Sequence, residues 1–316
     1  IDHNRRRGGN PWGIRFLRMF DQTNDAELFH TPEQLKKLGY KRKGSCWKKS
    51  RSVFLPLYEA KMVQAYDHRA ASVVIDEENW FRQGQKKGTT LVLHQNPEFG
   101  VVPRWWIEDS AVRKFFEGRQ PPALLAFKNV TSPTNQRTMI AAFIPFTAVG
   151  NSAPLVLIQN DISVRTQCCL LANLDSFALD YVARQKVGNV NLNFFIVEQL
   201  PIFPPDRYSE RCPWNSRQTL ERWISDRVLK LTCTAEDMLP LAEAAEFKGG
   251  VHNWNEDERA ELMAELDAAY FRLYGLSRDE VKYVLSTFSR TRSPDGSEGK
   301  SSAVAGRILS AFDELA

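Results

Sequence analysis

Residues Leu55 to Arg69 read LPLYEAKMVQAYDHR, and the fold turns on whether this stretch is a strand running into a turn or the rim of a metal site. The apolar run that starts at Val53 and ends in Glu59-Ala60-Lys61 suits a β-strand with a polar end. A Glu-x-Lys at a strand end can also hold a divalent metal through its carboxylate while the lysine orients a hydrolytic water. On that alternative the chain is a magnesium-dependent DNA nuclease using Glu59 and Lys61, with Asp21 or Asp25 as the further acidic ligand.

The residues just before this stretch weigh against the alternative. Lys36, Lys37, Lys41, Arg42, Lys43, Lys48, Lys49 and Arg51 follow one another with no acidic residue between them, and Tyr40 and Trp47 are interleaved. Each neutralised phosphate releases counterions, and an aromatic ring can pack on a sugar or base. A solvated helix or loop face is the plain counter-reading of such a run. The net charge of +4 is modest, but its distribution matters more than its sum.

With 316 residues, 43% apolar and 25% charged, the chain is long enough for two cores. The longest charge-free stretch, Thr138 to Asn160, matches a membrane span in length, but Pro145, Gly150, Asn151 and Pro154 divide it into two buried strands and a loop. No secretory leader opens the sequence, which fits the cytoplasm and no membrane partner. The five cysteines include no pair at metal-ligand spacing and the five histidines are scattered, so no metal site is expected.

The chain divides into an expected α+β arrangement. Residues 1–52 read as the tail of an upstream domain followed by a basic linker. Residues 53–205 are mainly β, with strand-like runs at Val73 to Ile75, Leu91 to Leu93, Trp105 to Ile107, Leu124 to Phe127, Met139 to Phe146 and Leu155 to Ile158. One packed helix through Leu170, Leu174, Phe177 and Tyr181, stopping near Gly188, follows them, and Val190 to Phe203 returns to extended character. Residues 206–316 form a helical subdomain, with starts at Thr234/Asp237, Asn255/Glu258 and Ser277/Glu280. Ser289 to Ser302 reads as a mobile loop before a last amphipathic helix from about Ala303 to Leu315.

No glycine-rich cofactor turn, Asn-Pro-Pro-aromatic loop or nucleophile-elbow pattern is present, so no catalytic residue is assigned. Arg104-Trp105-Trp106, Asn135-Gln136-Arg137-Thr138, Arg184-Gln185-Lys186 and Asn191 to Asn193 offer the side chains that read base edges.

Five segments in fixed order carry a resemblance: LPLYEAKMVQAYDHR, PRWWI (Pro103 to Ile107), FKNVTSPTNQRTMIAAFIP (Phe127 to Pro145), LLANLDSFALDYVARQKVGNVNLNFFIVEQLPI (Leu170 to Ile202) and LDAAYFRLYGLSRDEVKYVLSTF (Leu266 to Phe288). Together they resemble the C-terminal target-recognition region, a TaqI-like specificity domain, of adenine-specific DNA methyltransferases. These belong to type II and IIG restriction-modification and related phage-defence systems. The resemblance spans Asn10 to Phe288. It departs at Lys128 and Gln136, where relatives often carry Arg and Glu.

The resemblance implies a module that grips double-stranded DNA while a methyltransferase domain, upstream or separate, binds S-adenosylmethionine and methylates an adenine flipped out of the stack. No cofactor is expected in this chain itself, and other defence-system subunits are further candidate partners. The DNA-binding residues so implied are Lys41, Arg42, Lys43, Lys48, Lys49, Tyr58, Lys61, His68, Arg69, Arg104, Trp106, Asn135, Arg137, Thr138, Arg184, Lys186, Asn191 and Asn193. Arg137 and Asn135, at a strand start, are expected either to cap the turn or to touch DNA, with Arg137 then the base reader, and Lys48 is an expected phosphate contact.

Overall fold

The structure is a computed structural model that describes residues 10–74, 85–132, 135–159, 161–188, 190–288 and 299–316. Its first half contains β1 (Ile14–Leu17), α1 (Pro32–Lys37), β2 (Lys41–Lys43), β3 (Cys46–Lys49), β4 (Ser52–Tyr58), β5 (Ala71–Val73), β6 (Lys86–Gly88), α2 (Leu91–Gln95), β7 (Trp106–Glu108), α3 (Asp109–Arg113), β8 (Leu124–Phe127), β9 (Ala141–Ile144), β10 (Ala148–Val149) and β11 (Leu155–Ile158). Then come α4 (Val164–Asp175), α5 (Phe177–Lys186), α6 (Phe194–Val197), β12 (Arg211–Cys212), β13 (Asn215–Thr219), α7 (Leu220–Thr232), α8 (Leu239–Ala244), α9 (Glu256–Leu273), α10 (Arg278–Phe288) and α11 (Gly299–Glu314). The fold is α+β: antiparallel sheets first, helices after them.

Strand β4 lies at the heart of a five-stranded sheet, pairing antiparallel with β3 and β7 and parallel with β10. A second, antiparallel sheet has the order β1-β11-β8-β9. Side chains alternate across its faces. Leu125 and Phe127 of β8, with Ala141 and Phe143 of β9, face the helices and share one core with Leu170 of α4, Leu229 of α7 and Tyr270 of α9. Leu124, Ala126, Ala142 and Ile144 point the other way, into a core shared with Leu55, Leu57 and Ile107 of the first sheet. The molecule is thus layered as helices, sheet and sheet, and the middle sheet is covered on both faces. That explains why β8, Leu-Leu-Ala-Phe, is apolar at every position.

The charge-free stretch from Thr138 becomes β9, β10 and β11, and the chain changes sheet at Pro145 and again beyond Gly150. No helix of the described residues is long and apolar enough to cross a membrane.

Several expectations need correction. Residues 10–52 are part of the fold and not a linker, because β1 closes one edge of the middle sheet and β2 and β3 extend the outer one. The core also runs unbroken across residues 205 and 206, joining Phe127 to Leu220 and Tyr270. Leu91 to Leu93 is helical, since Thr90 caps it by accepting from the Leu93 N–H at 3.4 Å.

The single helix expected over Leu170 to Tyr181 is two. Ser176 is extended at φ −70°, ψ 143°, ends α4 and caps α5 with its hydroxyl. Phe194–Val197 forms a helical turn inside the segment expected to be extended. Asn255 and Ser277 open helices as expected, the former bonding the Glu258 N–H at 2.9 Å and the latter the Glu280 N–H at 3.4 Å. Thr234 caps nothing: a 3-10 turn starts after Ala235, and Asp237 turns instead to His68. The last helix begins at Gly299, earlier than expected, and most of the expected mobile loop, residues 289–298, lies outside the described residues.

Candidate nucleic-acid interface

The basic run folds into the β2–β3 hairpin, and alternation sorts its side chains. Lys41 pairs with Lys48, Arg42 with Trp47 and Lys43 with Cys46. Lys41, Lys43 and Lys48 therefore share one face, exposed to solvent, while Arg42, Trp47 and Lys49 share the other. Trp47 sinks into a small core with Leu35, Phe54 and Trp106, meeting the Trp106 ring edge-on at 6.2 Å. Lys49 donates to Leu38 O at 2.7 Å, and Arg42 to Gly44 O at 3.0 Å across the turn.

The hairpin is held against α1 by these contacts. Thr31 and Gln34 form a reciprocal capping box at the start of that helix, Pro32 stands at its first turn, and Gly39, at φ +83°, follows its end. The strand pair thus displays three lysines with no carboxylate partner among the described residues. Like charges directly opposite each other, as Lys41 and Lys48 are, oppose sheet formation.

The Asp67-His68-Arg69 triplet serves a different end from the one expected. His68 is buried and bonds Asp237 at 2.9 Å, while Asp67 bonds His94 at 3.2 Å. Arg69 is 0% exposed, and its guanidinium donates to the carbonyls of His94, Asn96, Phe99 and Thr234 at 2.9–3.1 Å. Tyr58 is likewise buried, and burial pushes its phenol well above the usual range. His68 and Arg69 thus join the sheets to the helical half, and neither they nor the buried Tyr58 can meet DNA from these positions.

Burial alone would raise Asp67 and Asp237, but the histidines, with Arg259 beside Asp67 and Arg69 beside Asp237, hold both below the ordinary carboxylate value. A depressed carboxylate contributes stability that is present above about pH 4 and lost as pH falls through its folded value. The joint is therefore expected to loosen first on acidification below about pH 4. Trp254, whose ring stacks on His94 at 3.8 Å, reports it. The fluorescence difference between the protein and its Trp254→Phe variant should change before helical circular dichroism does. Coincident transitions would sink the idea.

Arg137 and Thr138 are buried too. Arg137 donates to Asp267 at 2.7 Å and to Asp175 O, and lies 3.8 Å over the Phe177 ring. Burial works against its charge, but the Asp267 carboxylate outweighs that and keeps it protonated. Asp180 accepts from the Thr138 and Met139 N–H groups at 3.0 and 2.7 Å, and Asp175 from the Ala141 N–H at 2.8 Å. Burial pushes Asp175 well above the usual carboxylate range. The base reader expected at Arg137 is in fact the bolt that fastens this loop to α4, α5 and α9.

The remaining candidates are scattered. Trp106 is core, its indole N–H donating to Ser45 O at 2.8 Å, so it too is no contact. Arg104 is half-buried over the Trp105 ring at 4.9 Å. Lys61 pairs with Glu59 at 2.9 Å, and no three His, Cys, Asp or Glu side chains gather as a metal site among the described residues. Asn135 is exposed, and its carbonyl and that of Gln136 accept from the half-buried Arg184 at 2.6 and 3.3 Å. Lys186 is exposed and donates to Gln199 at 3.2 Å. Asn191 bridges Val130, and Asn193 precedes α6.

Arg184 thus meets the loop at Asn135 and Gln136, and Asn191 separately meets the exposed Val130. The five partner aspartates, Asp67, Asp175, Asp180, Asp237 and Asp267, were not singled out from sequence for these roles. Comparison with known protein families, curated proteins and solved structures finds no match.

Proposed function

We propose that this chain is the DNA-recognition module of a site-specific adenine methyltransferase of a restriction-modification or phage-defence system. It positions double-stranded DNA for base flipping by a methyltransferase domain that carries S-adenosylmethionine. The observation that carries DNA binding is the lysine face of the hairpin, with Lys41 opposite Lys48 and Lys43 beside them. Such a face suits a phosphate backbone, because each ammonium then gains a counter-charge that the described residues do not provide. The methyltransferase assignment rests on the five segments that follow one another in order from Leu55 to Phe288.

Base reading falls to the exposed Asn135 and the surface beside it, since the buried Arg137 is unavailable. Titrating duplex DNA at several salt concentrations tests the proposal. Replacing Lys41, Lys43 and Lys48 together by glutamine is expected to flatten the slope of log K against log salt by about one per lysine, equally for all sequences. A slope that does not move would refute the phosphate-facing role.

A further inference from the structure

A cleft of about 580 Å³ lies between the loop bearing Asn135 and Gln136 and the helices α9 and α11. Small-molecule sites commonly span about 300–1,000 Å³. Ile140, Met263 and Ile308 give it an apolar wall, and Lys86, Lys128, Arg137, Arg307 and Asp267 supply its charges. Arg137 and Asp267 neutralise each other at 2.7 Å, and Arg307 pairs with Glu261 at 3.1 Å. Lys86 and Lys128 have no carboxylate partner among the described residues. Burial of Lys128, with the charge of Lys86 nearby, brings its pKa down to about 8. An anion held by both ammonium groups would relieve that penalty.

Exposed amides of Gln64 and Gln136 stand at the same cleft. Such groups donate to and accept from base edges.

We propose that this cleft binds a nucleoside monophosphate, its phosphate held by Lys86 and Lys128, its base on the Ile140 and Met263 wall and its edge read by the amides. A space of this size admits one nucleotide and not a duplex, so the site is distinct from the hairpin. Among the described residues, the charged groups that line the cleft with Lys128 are Lys86, Arg137, Arg307 and Asp267. A bound phosphate favours protonated Lys128, so affinity falls and proton uptake appears as pH rises through about 8.

Calorimetric titration of the full chain with adenosine monophosphate is the test. Binding should weaken roughly tenfold or more in Lys128→Met, in Lys86→Met at an exposed strand position, and when adenosine replaces the nucleotide. It should also weaken between pH 7 and pH 9 in the unsubstituted chain. Absent binding, or binding indifferent to both substitutions, overturns the proposal. Inorganic phosphate binding as tightly as the nucleotide overturns the nucleoside part. The hairpin triple variant separates the two proposals, because it should lose duplex affinity and keep the nucleotide.

Discussion

Replacing Arg69 by methionine is expected to lower stability by about 4 kcal/mol or more, enough to consume much of the net stability of an ordinary domain. Methionine fills most of the space but donates nothing, and four carbonyls then lack their donor, those of His94 and Thr234 buried and those of Asn96 and Phe99 partly so. A buried acceptor left unsatisfied costs about 1–3 kcal/mol, and partial relaxation around the site keeps the sum below the simple total. Lysine is expected to recover only part of the loss, since one ammonium cannot reproduce the spread of a planar fork. Urea unfolding followed by far-ultraviolet circular dichroism measures both variants. Unchanged stability with lost DNA affinity would return Arg69 to the DNA contacts and overturn its role as a joint.

Removing either partner of the Arg137–Asp267 pair is the second large effect, a loss of about 3–5 kcal/mol, because the survivor is left charged in the interior. Asp267 also accepts from the Phe177 N–H at 2.8 Å, so its loss frees a backbone donor at the first turn of α5 as well. Replacing both, Arg137→Met with Asp267→Leu, should be much less harmful than the sum of the single changes, since no charge then remains buried. The single Arg137→Met change should leave whatever folded protein survives with its sequence preference intact. Additive losses in the double variant, or a relaxed preference in the single one, would return Arg137 to reading bases.

What local pattern encodes was legible. The runs at Leu124–Phe127 and Leu155–Ile158 are strands with the bounds read from sequence, and Asn255 and Ser277 open the helices that their spacing to Glu258 and Glu280 predicts. Leu91–Leu93 misled because a three-residue apolar run has no period, and the Thr90 cap decided it. Ser176 misled because helical spacing continues on both sides of a single extended residue. The candidate site was legible only at the hairpin, where charges lie close together along the chain. Arg69 and Arg137 are chemically apt for DNA, but their partners include Thr234 and Asp267, 165 and 130 residues away, a distance at which no motif signals a contact.

That separation also governs how the chain acquires its fold. Trp12 donates to Phe203 O across 191 residues, and Arg259 to Tyr66 O across 193. Each contact closes a long loop before its reward is gained, the condition under which folding is slow. During synthesis the face of the middle sheet that bears Leu125, Phe127 and Phe143 can be met first by Leu170 of α4, but the core that they share is completed only by Leu229 and Tyr270. The nascent chain therefore carries an incomplete core, with the outer face of α4 uncovered, until α7 and α9 are made, and that interval is when it is most open to aggregation.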